Sequence, residues 1–312
     1  MEKIDEIPEP SPSASPIAPA RPIARNRLRE TAVSIAIFLA FWGIYLATGN
    51  YQPSPFNAHV YLAYSLLHRR FDLIDPPGFF ETARFAGHTY IAYGIGPSLL
   101  MLPFVAIWGL DFRQPVFAAA LAAAAVTLWS ATLTHLRFRG RSRILLTLLF
   151  GLGSLVWFYG GAKGNSWSLM HVTTLFGLTL AIYETLARGR GWLTGLAFGI
   201  AVLSRQTVLL ALPFFVWSLW RDGESPRRNF NRELGFALCL CAPILFDAYY
   251  NAARFGSPWD SGYPRVIVAI TALRFRPWGL FSLNYVAANA RTYFLKLPEN
   301  LPSFPWYDPT MA

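Results

Sequence analysis

The chain has 312 residues, of which 54% are hydrophobic and only 14% charged. Soluble globular domains carry about 25% charged residues, so this composition excludes an ordinary soluble domain and predicts an integral membrane protein surrounded by lipid. The formal net charge of +10 would suit a nucleic-acid partner, but in so apolar a chain it is better explained by basic loops at one membrane face. We therefore expect that the protein does not bind nucleic acid.

Residues 1–29 contain the stretch PEPSPSASPIAPARP. Such a segment, rich in Pro, Ser and Ala, has too few apolar clusters to bury a core. A secretory signal would place its apolar segment near the start, whereas here the whole polar stretch comes first. We predict a disordered cytoplasmic tail over 1–29, followed by an uncleaved transmembrane helix.

A helix that crosses about 30 Å of hydrocarbon needs roughly 20 mostly apolar residues. The rest of the chain contains seven apolar segments that approach this length. A run of alanines within one of them, AAALAAAA, predicts close packing between helices. The segments are 31–48, 93–110, 115–135, 143–159, 171–187, 192–220 and 234–251.

Basic clusters between these segments test the topology, because short basic loops lie in the cytoplasm and an even number of crossings must separate them. Three apolar segments separate the first two clusters, which is one too many. Segment 93–110 is the weakest because it contains Gly94, Gly96, Pro97 and Pro103, and proline kinks a helix. We predict that it does not cross the membrane, and that it either lies along the outer surface or enters the membrane and returns to the same face. The clusters are Arg21/Arg25/Arg27/Arg29, Arg137/Arg139/Arg141/Arg143, Arg188/Arg190 and Arg221/Arg227/Arg228/Arg232.

Segment 192–220 has basic residues at both ends and LSRQT at its centre. We predict two short helices that meet at Arg205, each about 21 Å long, so that Arg205 lies below the outer membrane boundary. The alternative is one tilted helix from which Arg205 reaches the interface.

The predicted architecture is all-α and polytopic, with about seven transmembrane helices and a long first extracytoplasmic loop carrying two juxtamembrane helices. Residues 30–251 form the membrane domain, which includes the loop 49–114, and residues 252–312 form an extracytoplasmic segment. The N-terminus is cytoplasmic, and the polar site lies on the extracytoplasmic face of the cell inner membrane.

Several familiar types of site are not predicted. The five histidines lack the spacing of zinc ligands, and the chain has neither a Gly-rich phosphate loop ending in Lys-Ser/Thr nor a nucleophilic serine elbow. Cys239 and Cys241 are two residues apart and point to different sides of a helix, so they do not form a disulfide framework. We expect no metal and no cofactor.

Polar residues that persist on the predicted outer face are candidates for function, since they are costly at membrane depth. Acids and bases together suit transfer from a lipid-linked phosphate, because a carboxylate can accept a proton while Arg or Lys neutralises the leaving phosphate. The alternatives are that the acids only solvate the loop and that His171 only ends a helix. The candidates are Asp72, Asp75, Glu81, Arg84, Lys163, Asn165, Trp167, His171, Arg205, Asp247, Asp260 and Tyr263.

Four stretches resemble the GT-C superfamily of membrane glycosyltransferases, among them the bacterial protein O-mannosyltransferases and aminoarabinose transferases. The resemblance implies a polyprenyl-phosphate-linked sugar donor, transfer with inversion on the extracytoplasmic face, and a site formed by the helices of the first loop. It also implies that relatives continue with further helices. The stretches are HVYLAYSLLHRRFDL, TYIAYGIGPSLLMLPFVAIWG, WLTGLAFGIAVLSRQTVLLALPFFV and NAARFGSPWDSGY.

The chain departs from the family where the catalytic acid is expected, early in the first loop. That position holds Asn57, which cannot act as a base. Asp72 or Asp75 would have to replace it, or the chain is inactive or uses another mechanism.

In this hypothesis Arg84, Lys163 and Arg205 bind the donor phosphate, whereas Trp167 and His171 line the donor pocket. The acceptor is an envelope glycan, lipid or protein. Two other functions remain open, a lipid-linked sugar flippase and a non-catalytic scaffold. Transporters usually carry broken helices in both halves, and only one break is predicted here. The scaffold is favoured by Asn57 alone.

Overall fold

The computed structural model describes residues 23–49, 56–78, 82–266, 278, 282–295, 299–300 and 307–308. These residues are mostly helical. The helices are α1 (Ile23–Thr48), α2 (Ala58–Leu67), α3 (Gly96–Trp108), α4 (Gln114–His135), α5 (Gly140–Leu152), α6 (Leu155–Trp157), α7 (Ser166–Tyr183), α8 (Gly191–Ser204), α9 (Leu212–Leu219), α10 (Pro226–Phe255) and α11 (Val286–Leu295). The strands are β1 (Thr82–Phe85), β2 (His88–Ile91), β3 (Glu299–Asn300) and β4 (Tyr307–Asp308).

The predicted N-terminal tail falls mainly on residues 1–22, which lie outside the described residues. Helix α1 begins at Ile23, so residues 23–29 are helical. Short π-helices follow α6 and α7, at Phe158–Lys163 and Glu184–Arg188.

Within the described ranges, four helices are long and apolar enough to cross a membrane: most of α1, α4, α7 with its π-helical extension, and α10. The pair α5 and α6 adds a fifth if it forms one span, and it is bent by 47°. The prediction of seven crossings is therefore not confirmed. The difference arises mainly at 192–220, where both halves are shorter than a full span.

Many large apolar side chains point away from the protein, which is expected for helices that face lipid. Leu210 and Trp217 are 88% and 84% exposed, and Leu145 and Leu245 are also largely exposed. In water each such side chain would cost about 1.5–3 kcal/mol relative to burial. Exposed apolar surface of this kind marks an interaction with a membrane or another protein.

The alanine run lies in the centre of the bundle, as predicted. Ala118, Ala119, Ala122 and Ala123 are completely or almost completely buried, and α4 packs against α1, α5 and α7. A Cβ atom on Gly160 would collide with the Cβ of Ala122. Small side chains therefore allow the helices to approach closely, which is how helices associate in lipid.

The predicted break at Arg205 is confirmed. Helix α8 ends at Ser204, Arg205 has extended backbone angles (φ −149°, ψ 109°), and a 3₁₀ turn over Gln206–Ala211 leads into α9. The first loop packs directly on this break, because a Cβ on Gly94 or Gly96 would collide with the backbone or side chain of Ser204.

The first loop contains both predicted helices, α2 and α3, but also a β-hairpin that the all-α prediction missed. Strands β1 and β2 pair antiparallel, with Ala83 opposite Tyr90. The two-residue turn consists of Ala86 and Gly87, whose φ angles are +48° and +81°. Such a turn matches the twist of paired strands and favours glycine. Val266, downstream of α10, forms a bridge with Ala83.

Gly195 is expected to control the packing of α8 on α10. A Cβ at this position would collide with the carbonyl oxygen of Phe236. Gly195→Ala should therefore lower the free energy of unfolding of the protein in detergent by about 1–3 kcal/mol, which is measured by thermal unfolding. Gly43→Ala is the matched control, because nothing lies within 4 Å of its added Cβ, and alanine is the better helix former. A variant Gly195→Ala as stable as Gly43→Ala would contradict the close approach.

Candidate functional site

The break in α8 brings Arg205 against His171 of α7. One guanidinium nitrogen of Arg205 lies 2.7 Å from Nε2 of His171. An arginine side chain can only donate hydrogen bonds, so this ring nitrogen accepts and carries no proton. The site therefore joins a permanently charged arginine to a neutral histidine.

Two aromatic rings enclose His171. Tyr159, from the π-helix after α6, stacks on the imidazole with ring centroids 4.7 Å apart and an angle of 7° between the planes. Trp167, one turn before His171 on α7, meets the imidazole edge-on at 4.5 Å. Because the rings restrict the imidazole, they hold the nitrogen that faces Arg205. The sequence did not single out Tyr159, although single π-helical turns often occur at functional sites.

The charge of Arg205 is not neutralised by any carboxylate among the described residues. The six ion pairs found in that part of the chain involve other residues. The sequence predicted an anionic partner because a cation at membrane depth is costly. The structure supplies only the neutral His171, so Arg205 has the capacity to bind an external anion.

The residue after Arg205 contacts the only acid of α10 that lies in its second half. Nε2 of Gln206 donates to Oδ2 of Asp247 at 2.5 Å. Nδ2 of Asn251, one turn later on α10, also donates to Oδ2, at 3.4 Å. Asp247 is partly buried. The sequence placed Asp247 among the polar residues of the outer face but assigned it no role.

Arg254 joins the end of α10 to the hairpin. It is only 4% exposed, and its guanidinium donates to the carbonyl oxygen of Ile91 at 2.6 Å and to Oδ1 of Asn251 at 2.7 Å. The guanidinium also lies 3.6 Å from the ring centroid of Tyr250. Asp247, Asn251 and Arg254 are spaced four and three residues apart, a spacing that puts them on one helix face. This spacing was the available sequence signal for the cluster.

Asp72 lies at the hairpin and is already paired. Arg70 donates to both of its carboxylate oxygens, and Nδ1 of His88 lies 2.9 Å from Oδ2. The hydrogen bond from Arg70 lowers the pKa of Asp72 to about 2, aided by His88 and opposed by partial burial. Next to it, the amide of Leu73 donates to the carbonyl of Thr89. These contacts suit a structural role, and catalysis by Asp72 remains a prediction.

Of the other predicted loop residues, Glu81 lies outside the described residues, and Asp75 and Arg84 make no contact with Arg205 or His171 in the part that the structure describes. Both are exposed, and neither belongs to an ion pair found within the described residues. Asp75 has a φ of +42°, which is unusual outside glycine. Arg84 lies on β1 opposite Thr89. Their roles as base and phosphate ligand are therefore untested.

Lys163 and Asn57 both lie near the beginning of α7. Lys163 is close to it along the chain, and Asn57 is close to it in space. Lys163 ends the π-helix Phe158–Lys163, but its side chain lies outside the described part of the structure. Asn57 begins α2 without a side-chain capping bond. Phe56, the preceding residue, accepts hydrogen bonds on its carbonyl from both the amide and the hydroxyl of Ser166, at 2.9 and 2.7 Å. Asn57 is thus held beside the start of the helix that carries His171.

The geometry therefore unites Trp167, His171, Arg205 and Asp247 from the predicted candidates, and adds Tyr159. Among the described residues, the cluster combines a cation without a carboxylate partner, an enclosed neutral imidazole and a carboxylate bound only by neutral amides. Such a set can bind an anion and accept a proton. Comparisons with protein-family models, curated proteins and solved structures gave no match to this chain.

Asp72 is expected to make the hairpin sensitive to acid. Its pKa of about 2 in the folded protein lies below the value of about 3.9 for a free side chain, so its stabilising contribution is complete above about pH 4 and is lost as the pH falls towards 2. In the wild type, the protection of the Leu73 amide against hydrogen exchange, relative to its intrinsic exchange rate, should fall as the pH is lowered towards 2. This fall in protection should be smaller in Asp72→Asn.

Asp111→Asn is the control for that measurement, since Asp111 is an exposed acid after α3. It should keep the acid sensitivity of the wild type. An equal pH response in Asp72→Asn and Asp111→Asn would show that the Arg70–Asp72–His88 cluster does not stabilise the hairpin.

Proposed function

We propose that this protein is an integral membrane glycosyltransferase that transfers a sugar from a polyprenyl-phosphate-linked donor to an envelope acceptor. The observation that supports it best is the broken helix α8, which carries Arg205 without a carboxylate partner among the described residues. A cation so placed in an apolar helical protein suits a lipid that carries a phosphate. The resemblance to the GT-C superfamily supports the same donor class.

Arg205 would act mainly in the transition state. As the bond between the sugar and the phosphate breaks, negative charge develops on the phosphate, and a fixed guanidinium stabilises that charge without reorganisation. His171 holds the guanidinium in place, and Tyr159 and Trp167 hold His171. Exposed Trp167 also offers an aromatic face to a sugar ring. Lys163 and Arg84 remain candidates for further phosphate contacts.

We further propose that the chain crosses the cell inner membrane seven times with its N-terminus in the cytoplasm. In this topology residues 191–204 run from the cytoplasmic face towards the outer face, and residues 206–219 run back to the cytoplasmic face. The site at Arg205 therefore opens to the extracytoplasmic side. The density of arginines in the short loops before α5, before α8 and before α10 supports this orientation.

A lipid-linked sugar flippase is the second candidate, and the same broken helix favours it, because transporters bind ligands at such breaks. The two functions differ in their products. A transferase releases polyprenyl phosphate from the donor, whereas a flippase moves the intact donor between leaflets. Proteoliposomes with a labelled donor distinguish them directly.

Arg205→Ala is expected to weaken binding of polyprenyl phosphate by about 10- to 100-fold, the equivalent of one charged hydrogen bond. Binding is measured by titration of the purified protein in nanodiscs. Arg227→Ala is the matched control because Arg227 is exposed at the start of α10 and belongs to the predicted opposite face. Equal affinities of the two variants would exclude Arg205 from the phosphate site.

Labelling of introduced cysteines tests the topology. In a background without Cys239 and Cys241, a membrane-impermeant maleimide should label Asp75→Cys in intact spheroplasts but label Arg139→Cys only after permeabilisation. Both positions are exposed, so accessibility reports the side of the membrane. Labelling of Arg139→Cys from outside would overturn the proposed orientation.

A further inference from the structure

We infer that Asp247 is the carboxylate that accepts the proton of the sugar acceptor. This inference rests on the proposed function. It assigns the role of base to Asp247 instead of Asp72 or Asp75, which the sequence analysis named because Asn57 cannot act as a base. Asp247 lies on α10 and contacts Gln206, the neighbour of Arg205, so it is connected to the same helix break. The phosphate-binding cation and the base would then face the substrate from two different helices.

Within the described part of the chain, the hydrogen bonds of Asp247 leave one of its oxygens available. Both donors, Nε2 of Gln206 and Nδ2 of Asn251, converge on Oδ2. Within the described residues Oδ1 accepts no hydrogen bond. A general base needs a free lone pair within reach of the proton that it removes. Oδ1 provides that lone pair, while Oδ2 fixes the orientation of the carboxylate.

The hydrogen-bonding partners of Asp247 reduce its basicity less than a cation in direct contact would. Gln206 and Asn251 are neutral amides, and no ion pair of Asp247 occurs in the described part of the chain. Asp72 has the opposite environment, because Arg70 binds both of its oxygens. A cation in direct contact favours the ionised form and makes a carboxylate a weaker base. Asp247 is therefore better suited than Asp72 to accept a proton.

A line of hydrogen bonds holds Asp247 in place. Asn251 donates to Asp247 and accepts from Arg254, which in turn donates to the carbonyl oxygen of Ile91 at the end of the hairpin. Arg254 is almost completely buried. The line therefore links the first loop, through α10, to the broken helix. Asn251 and Arg254 are positioning residues, since they reach the substrate only through Asp247.

The chemical step balances as follows. Oδ1 of Asp247 takes the proton from the acceptor hydroxyl, and the acceptor oxygen forms a bond to the anomeric carbon of the sugar. The bond between that carbon and the phosphate oxygen breaks, and its electron pair leaves with polyprenyl phosphate. Arg205 stabilises the added negative charge. The proton on Asp247 then returns to water.

The test uses the full chain in proteoliposomes with polyprenyl-phosphate-linked mannose, glucose and arabinose as donors, and release of polyprenyl phosphate as the readout. Asp247→Asn should lower kcat by about 10²- to 10⁴-fold, the usual contribution of a general base. Its affinity for polyprenyl phosphate should stay within about threefold of the wild type. Asp247→Ala should regain activity when formate is added, because a small carboxylate can replace the missing one.

The controls separate this inference from the proposed function. Asp111→Asn should keep full activity, and Asn251→Ala should show a smaller loss of kcat than Asp247→Asn. A wild type that releases no polyprenyl phosphate from any of the three donors would refute the function and the inference with it. If the wild type is active and Asp247→Asn has the same kcat, the inference about Asp247 is refuted, whereas the proposed function is not. Loss of phosphate binding in Asp247→Asn, without rescue of Asp247→Ala by formate, would show a purely structural role.

Discussion

The arrangement of this protein depends on one constraint, a guanidinium held within an apolar helical bundle. Arg205 interrupts the helix that the surrounding apolar residues would otherwise continue, and its backbone is extended at that point. The freed polar groups and the charge both need partners. The described neighbours supply a neutral imidazole to the charge, which leaves the net charge uncompensated and makes an anionic ligand the natural complement.

The elements around the break form a rigid frame for such a ligand. Glycines allow the start of α3 to contact the end of α8, and stacked rings hold His171. On the other side, the line from Asp247 to Arg254 ties α10 to the hairpin. The stretch after α10 also contacts the first loop. The bridge between Ala83 and Val266 fastens them together.

The two acids Asp72 and Asp247 show how environment assigns roles to identical side chains. Asp72 is bound by Arg70 and His88 and stabilises a turn of the loop. Among the described residues, amides bind Asp247 at one oxygen only. The sequence analysis named Asp72 or Asp75 as the base, because both lie in the first loop, where the resemblance implies a catalytic acid. Neither the charge pattern nor the spacing could reveal that Arg70 and His88 bind the carboxylate of Asp72.

Local sequence patterns were sufficient to predict a helical membrane protein, the close packing of the alanine run and the break at Arg205. These follow from local properties, namely apolar length, side-chain size and the cost of a charge in an apolar segment. Only the three-dimensional structure revealed the hairpin, the stacking of Tyr159 on His171 and the connection of Asp247 to the break. The stacking and the connection join residues 12 to 41 positions apart, and the hairpin is fastened by Val266. Such contacts depend on how helices pack, which local patterns do not encode.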